Sequence, residues 1–270
     1  MLNTLLKYDL RATRRLNILL LISAVISSLV GSGGINLCIA FISPDNVDSF
    51  GIFLAVAGLL IFFAAVFMAI AAISVIMILV FYRFYKNLYT DEGYLTFTLP
   101  VKRGDILLSK TLNAIIWIAS SVATAIICFF IFALTAPFDG DAGTVITTTI
   151  LADLGGGMIT AYISLALLLS IASIFFYVNL AHFCITLGSV VAKKHKLLAG
   201  IGFYYLTSTV ISLIGQLISW GIIVFIGFFS ESLYITYLII LVALVILIGV
   251  AAVMFYIFTY RLMTRKLNLA

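Results

Sequence analysis

Charge is what this sequence has least of. Only 9% of its 270 residues are Asp, Glu, Lys or Arg, where a soluble domain carries about a quarter. Apolar residues make up 64% of the chain. No soluble core hides that much apolar surface. Several uncharged runs exceed the ~20 residues that cross a bilayer as helix. The fold class expected is therefore all-α integral membrane.

Other absences narrow the chemistry. The three cysteines, Cys38, Cys128 and Cys184, lie inside apolar runs, and none has the CxxC spacing of a metal or redox site. They read as small packing residues, so no metal site is expected. The HExxH and GxSxG patterns and paired intramembrane carboxylates are missing, which leaves an intramembrane protease or hydrolase without support. There is no Gly-Lys dipeptide, hence no phosphate loop to cradle a nucleotide. No span has a charged residue at its middle. That argues against a proton-driven carrier, but leaves room for a sodium-driven one built on carbonyls and hydroxyls. No short apolar core ending in a small-residue cleavage site opens the chain, so the first span is expected to remain in the mature protein.

What is present is a series of six spans, expected at about 16–40, 50–81, 111–136, 158–192, 197–229 and 233–260, forming one membrane domain over 1–270. Ahead of them, MLNTLLKYDLRATRR mixes leucines with Lys7, Arg11, Arg14 and Arg15. It suits an amphipathic helix lying among lipid headgroups, or else an ordinary basic flank. The second span carries alanines at 64, 65, 69, 71 and 72, a surface for close helix packing. Pro137 is expected to end the third span. The segment PFDGDAGTVITTTILADLGGG after it reads as a partly ordered loop or interfacial helix.

All fifteen Lys and Arg fall in four segments: the amino terminus, the second-to-third connection, the fourth-to-fifth connection KKHK and the carboxy tail. The three remaining connections hold none of them and six of the ten acids. Cations in short flanking loops stay in the cytoplasm, so both termini are expected there. The net charge of +5 is then a topology signal and not a nucleic-acid footprint.

The one long hydrophilic stretch is 82–110, YRFYKNLYTDEGYLTFTLPVKRGDILLSK. At 29 residues it exceeds what a passive linker needs. Its aromatics, with few charges between them, suit the core of a docking interface. The competing reading is a solvated loop whose tyrosines join the interfacial aromatic belt. Two polar faces also stand out within spans. Asn179, His182 and Thr186 share a face of the fourth span, and Ser212, Gln216 and Ser219 share one of the fifth. Each is a candidate pathway or subunit interface, or else a set of interhelical hydrogen bonds.

The TDEGYLTFTLPV core followed by KRGDILLSK, set between a second and a third span, resembles the permeases of ABC type-2 exporters of Gram-positive bacteria. The basic start, the six spans with both ends inside and the KKHK connection extend that resemblance over most of the chain. It implies a permease subunit that pairs with a second permease, identical or not, in the bacterial cytoplasmic membrane. Separate cytosolic ATP-binding-cassette ATPase subunits would bind ATP and magnesium, and the chain would hold no cofactor or catalytic residue of its own. The resemblance further implies a coupling helix at 87–99, with Asp91, Glu92, Gly93, Tyr94, Leu95 and Phe97 as the ATPase contacts. Pro100 would end it, and Asp105 would cap the next helix. One departure is the connection before the last span. It is only about 230–232 here, whereas the large sterol exporters carry re-entrant helices there. The expected cargo is amphipathic: a peptide, a drug or a lipid-like molecule. The alternative is an ATP-independent secondary transporter or channel, which predicts inverted repeats and broken helices. A non-transporting sensor or assembly factor is a third reading.

Overall fold

In hydrocarbon, every backbone amide must find its partner within its own segment, so long uncharged runs fold as helix. A computed structural model describes residues 2–42, 48–98, 100–135, 156–192, 194–229 and 233–265. Among them there are seven helices and no strand: α1 Leu2–Phe41, α2 Ser49–Tyr89, α3 Asp91–Thr98, α4 Arg103–Thr135, α5 Gly156–Val191, α6 Lys196–Phe229 and α7 Leu233–Arg265. All but α3 are long and apolar enough to cross a membrane. Only 6% to 28% of the most apolar window of each is buried, so most of that apolar surface faces outward. A water-soluble protein does not tolerate patches of that size. The architecture is that of a multi-pass membrane protein.

The helix ends differ from those expected at the segments rich in Lys and Arg. α1 runs unbroken from Leu2, with no interruption near Leu16. The cause is a buried stripe that crosses that point: Thr13, Asn17, Ala24, Ser28 and Gly31. α2 continues past residue 81 to Tyr89, so Asn87 belongs to it and the short helix begins only at Asp91. α4 starts at Arg103, not near 111. The Asp105 and Ile106 amides both donate to the Lys102 carbonyl, at 2.9 and 3.3 Å. Asp105 therefore sits in the first turn of α4 and not at its cap. There it still favours the positive end of the helix. The segment 136–155, the connection 230–232 and the end of the carboxy tail lie outside the described residues.

The chain divides into two compact units, one of Leu6–Val80 and Ile116–Asp153, the other of Met1–Leu5, Phe81–Ile115 and Leu154–Ala270. In the first unit, helices meet through small residues. Ala24, Ala69, Ala72 and Cys128 form a buried cluster. A Cβ on Gly34 would stand 2.7 Å from the Gly58 carbonyl oxygen, and one on Gly58 would stand 2.5 Å from the Gly34 oxygen. Only glycine lets the α1 and α2 backbones touch in this way. The Trp117 indole donates to Thr13 Oγ1 at 2.8 Å, fastening α4 to α1.

In the second unit, α5 packs along both α6 and α7. Gly188 and Gly200 bring α5 and α6 into backbone contact. Phe176, Leu180, Cys184 and Ala252 form one buried cluster there. A second one, Phe84, Leu88, Tyr89, Ile106, Leu107, Ile185 and Met263, draws on α2, α4, α5 and α7. This second cluster is the base on which α3 stands.

Candidate functional site

The eight residues of α3 are joined to α2 by Thr90 alone. The Gly93 amide donates to the Thr90 carbonyl at 2.8 Å, and the Thr90 hydroxyl donates to the Lys86 carbonyl at 2.5 Å. A Cβ on Gly93 would lie 2.5 Å from the Leu88 carbonyl oxygen. Glycine is thus required for the first turn of α3 to rest on the end of α2. Asp91 and Glu92 occupy that first turn, where negative charge favours the helix dipole.

The helical period then sorts the remaining side chains. Asp91, Tyr94, Leu95 and Thr98 recur at i, i+3, i+4 and i+7 and are exposed. Tyr94 is 66% and Leu95 68% exposed, although both are apolar in body. Gly93 is buried, and Thr96 and Phe97 are half-buried. The Thr96 hydroxyl lies 3.1 Å from the Asn87 carbonyl and 3.0 Å from the Glu92 carbonyl. Phe97 packs against the cluster below, with the Arg103 guanidinium 5.6 Å from its ring centroid. Phe97, expected as a partner contact, is partly buried against this cluster.

Glu92 is likewise engaged within the chain. Lys86 Nζ lies 2.9 Å from Glu92 Oε1. With the Asn87 amide oriented to satisfy both neighbours, its nitrogen donates to Glu92 Oε2 at 3.1 Å and its oxygen accepts from Lys110 Nζ at 2.9 Å. One carboxylate thereby links α3 to α2 and, through Asn87, to α4. Arg103 extends the arrangement to α7: its Nη1 donates to the Met263 and Thr264 carbonyls, both at 3.2 Å.

Beneath this lies the buried polar face of α5. Asn179 and His182 are each 1% exposed and Thr186 is fully buried. The His182 ring stacks on Phe84, with centroids 3.8 Å apart and planes at 15°. Its Nδ1 is 3.5 Å from Thr111 Oγ1, while its Nε2 has no hydrogen-bond partner. Asn179 donates to the Phe175 carbonyl at 2.8 Å. Tyr89 and Thr186 share a hydrogen bond of 2.6 Å between their hydroxyls. This face supplies interhelical contacts inside its unit. The fifth-span face is different: Ser212, Gln216 and Ser219 are all exposed.

A half-open cavity of about 280 Å³ lies between α5 and α6, lined by Phe176, Tyr177, Leu180 and Ile211 and by the hydroxyls of Ser208, Thr209 and Ser212. Each of these three hydroxyls donates its proton to a carbonyl of its own helix, at 2.7 to 3.0 Å. The cavity therefore offers acceptor lone pairs on an apolar wall.

The connection thus divides the six coupling candidates. Asp91, Tyr94 and Leu95 form an outward face, and Glu92, Gly93 and Phe97 form the mount. Asn87 and Tyr89, expected within the coupling helix at 87–99, belong instead to the end of α2. Arg103, which in the sequence reads as a topology charge, is the contact to α7 that the spacing did not single out. Among the described residues, no three of His, Cys, Asp and Glu gather to hold a metal ion. Neither a protein-family model, nor a curated protein, nor a solved structure matches this chain.

Proposed function

We propose that the chain is the membrane subunit of an ATP-driven exporter, moved by a separate cytosolic ATPase that docks on α3. The observation that carries this reading is the pairing of an exposed apolar tip, Tyr94 and Leu95, with a helix fastened on its other face. A solvated loop needs neither feature. A closing ATPase pair, by contrast, needs something short and stiff to push, with an apolar contact to grip. The resemblance of TDEGYLTFTLPVKRGDILLSK to type-2 exporter permeases supports the same assignment. So does the gathering of all Lys and Arg on the segments expected in the cytoplasm.

On this reading the chain sits in the bacterial cytoplasmic membrane, beside a second permease subunit. The ATPase binds ATP and magnesium and performs the hydrolysis. The permease contributes no catalytic group. ATP binding in the partner biases an equilibrium between inward- and outward-open states, and an amphipathic cargo crosses along apolar walls with scattered hydroxyls.

The test is co-purification with the host's cytosolic ATPases, followed by ATP hydrolysis in the reconstituted complex. The double variant Tyr94→Ala, Leu95→Ala is expected to lose the ATPase while folding as the parent does. An unfolding temperature within a few degrees of the parent is the control. If the double variant keeps both the ATPase and its coupling, the docking assignment fails. If no ATPase associates with the parent and transport persists in proteoliposomes, the chain is an ATP-independent transporter.

A further inference from the structure

We infer that Arg103 is the positioning residue through which displacement of α3 reaches the last membrane helix, α7. The inference deepens the docking reading and rests on it. The helices that flank α3 in sequence, α2 and α4, need no special device to follow it. α7 is remote in the chain, its Met263 lying 160 residues from Arg103, yet the Arg103 side chain reaches both it and α3. The Arg103 guanidinium lies over the Phe97 ring at 5.6 Å, within cation–π range. The same group donates from Nη1 to the carbonyls of Met263 and Thr264.

Those two carbonyls belong to the last turn of α7, which ends at Arg265. The last carbonyls of a helix lack partners within it and carry the negative end of its dipole. A cation there both satisfies and attracts them. Arg103 therefore holds the end of α7 as a capping side chain does, while standing on the first residue of α4 and against an α3 ring. The packing underneath is compact: Met263 is fully buried in the cluster that also contains Leu107 and Ile106 and touches Phe97 and Val101. Within this constellation the guanidinium is the polar, directional link, and the apolar packing is the pivot.

Lysine would not replace it. An ammonium presents a compact point charge, whereas the planar guanidinium can lie over a ring and still donate in its own plane. The neighbouring Lys102 is exposed and serves as the internal control.

The experiment uses the full chain in phospholipid nanodiscs. Spin labels on Thr98→Cys in α3 and Arg261→Cys in α7, both exposed positions, report the α3–α7 distance distribution by pulsed electron resonance. Native cysteines are buried and stay unlabelled under mild conditions. The parent and Lys102→Gln are expected to give one narrow distribution. Arg103→Gln should broaden it at least twofold, and Arg103→Lys should fall between. Helix content and unfolding temperature check the fold, and if Arg103→Gln does not fold, Arg103→Lys carries the test alone. An unchanged width in a folded Arg103 variant, or equal broadening by Lys102→Gln, overturns the assignment. This measurement needs no ATPase, so a failure of docking would leave it intact. In the ATPase complex, with Arg261→Cys carrying the only label, nucleotide should change that label's mobility in the parent but not in Arg103→Gln, with ATPase affinity retained. A mobility change that survives in Arg103→Gln also overturns the inference.

Discussion

Both compact units bring backbones together at a glycine pair, Gly34 with Gly58 in one and Gly188 with Gly200 in the other, but they differ in what fills the rest of their seams. In the unit of Leu6–Val80 and Ile116–Asp153, backbones touch through Gly34 and Gly58, and alanines fill the seams. In the other unit, large rings and polar side chains meet: Phe84 on His182, Tyr89 on Thr186, Arg103 on the end of α7. Small-residue contact works by dispersion over many atoms and has few alternative arrangements. Side-chain contact is made of separable, directional pieces. If α3 transmits movement as proposed, it needs pieces that break and reform, and α3 belongs to the second unit. Under the proposed coupling role, the first kind of packing would hold helices in register and the second kind would be able to rearrange.

The comparison breaks most sharply at Gly58. Leucine there would force its Cβ into the Gly34 carbonyl oxygen and to 2.8 Å from the Cys38 amide nitrogen. Backbone on both sides leaves nothing to yield, so the cost lies at or above the upper end of overpacking penalties, about 3 kcal/mol. Gly58→Leu is expected to yield no folded protein. Its thiols, Cys38 and Cys128, buried in the parent, should react with a maleimide dye at room temperature. Gly33, which faces open space, is the contrasting site. Gly33→Leu should leave stability within about 0.5 kcal/mol. Equal damage at both positions would mean that close backbone approach does not hold this unit.

Phe84→Ala tests the other kind of packing. Phe84 is 3% exposed and stacks on His182. Removing it should cost about 3 kcal/mol, read as a lower unfolding temperature in a thermal scan. The cavity left behind touches His182 and Tyr89, so the loss should partly recover with Phe84→Leu. A smaller step is Tyr89→Phe. It deletes one hydroxyl while Thr186 keeps its bond to the His182 carbonyl at 2.7 Å. The expected cost is about 1 kcal/mol. A loss as large as that of Phe84→Ala would mean that the polar contacts dominate this unit.

The sequence makes the six spans legible because length and hydropathy decide them, and among the described residues six helices long and apolar enough to cross a membrane do follow. It does not make the ends legible. Residues 82–89 and 103–110 are polar enough to read as connection, yet they continue α2 and α4, because tertiary packing around Leu88 and Leu107 overrides local composition. The connection itself was identifiable by its aromatics, but not the direction each one faces. Tyr94 and Phe97 are equivalent in composition, and only the seating of Gly93 on Leu88 fixes the phase that turns one outward and the other inward. The polar faces of the fourth and fifth spans look alike as spacing patterns. What separates them is burial: the α5 face lies against Phe84 and Tyr89 of α2 and Thr111 of α4, whereas the face of α6 that carries Gln216 is exposed.

The smallest expected effect concerns the bond between Lys86 and Glu92. Both side chains are about half exposed, at 50% and 49%, and exposed ion pairs of this kind contribute little to stability. Glu92→Gln keeps an acceptor for Asn87 and removes only the charge. Its effect should appear as slightly faster hydrogen exchange of the α3 amides, with the global unfolding temperature unchanged. Salt separates the two components of the mount. Screening length falls from about 10 Å at 0.1 M to about 3 Å at 1 M, so the difference between parent and Glu92→Gln should shrink as salt rises. Asn87→Ala removes the bridge to Lys110, and its effect on α3 exchange should persist at high salt, because a hydrogen bond between close neighbours is screened far less. If the Glu92→Gln difference instead held constant from low to high salt, charge would have no part in seating α3. The mount would then rest on Asn87, Gly93 and Phe97 alone, closer in kind to the contact-only packing of the other unit.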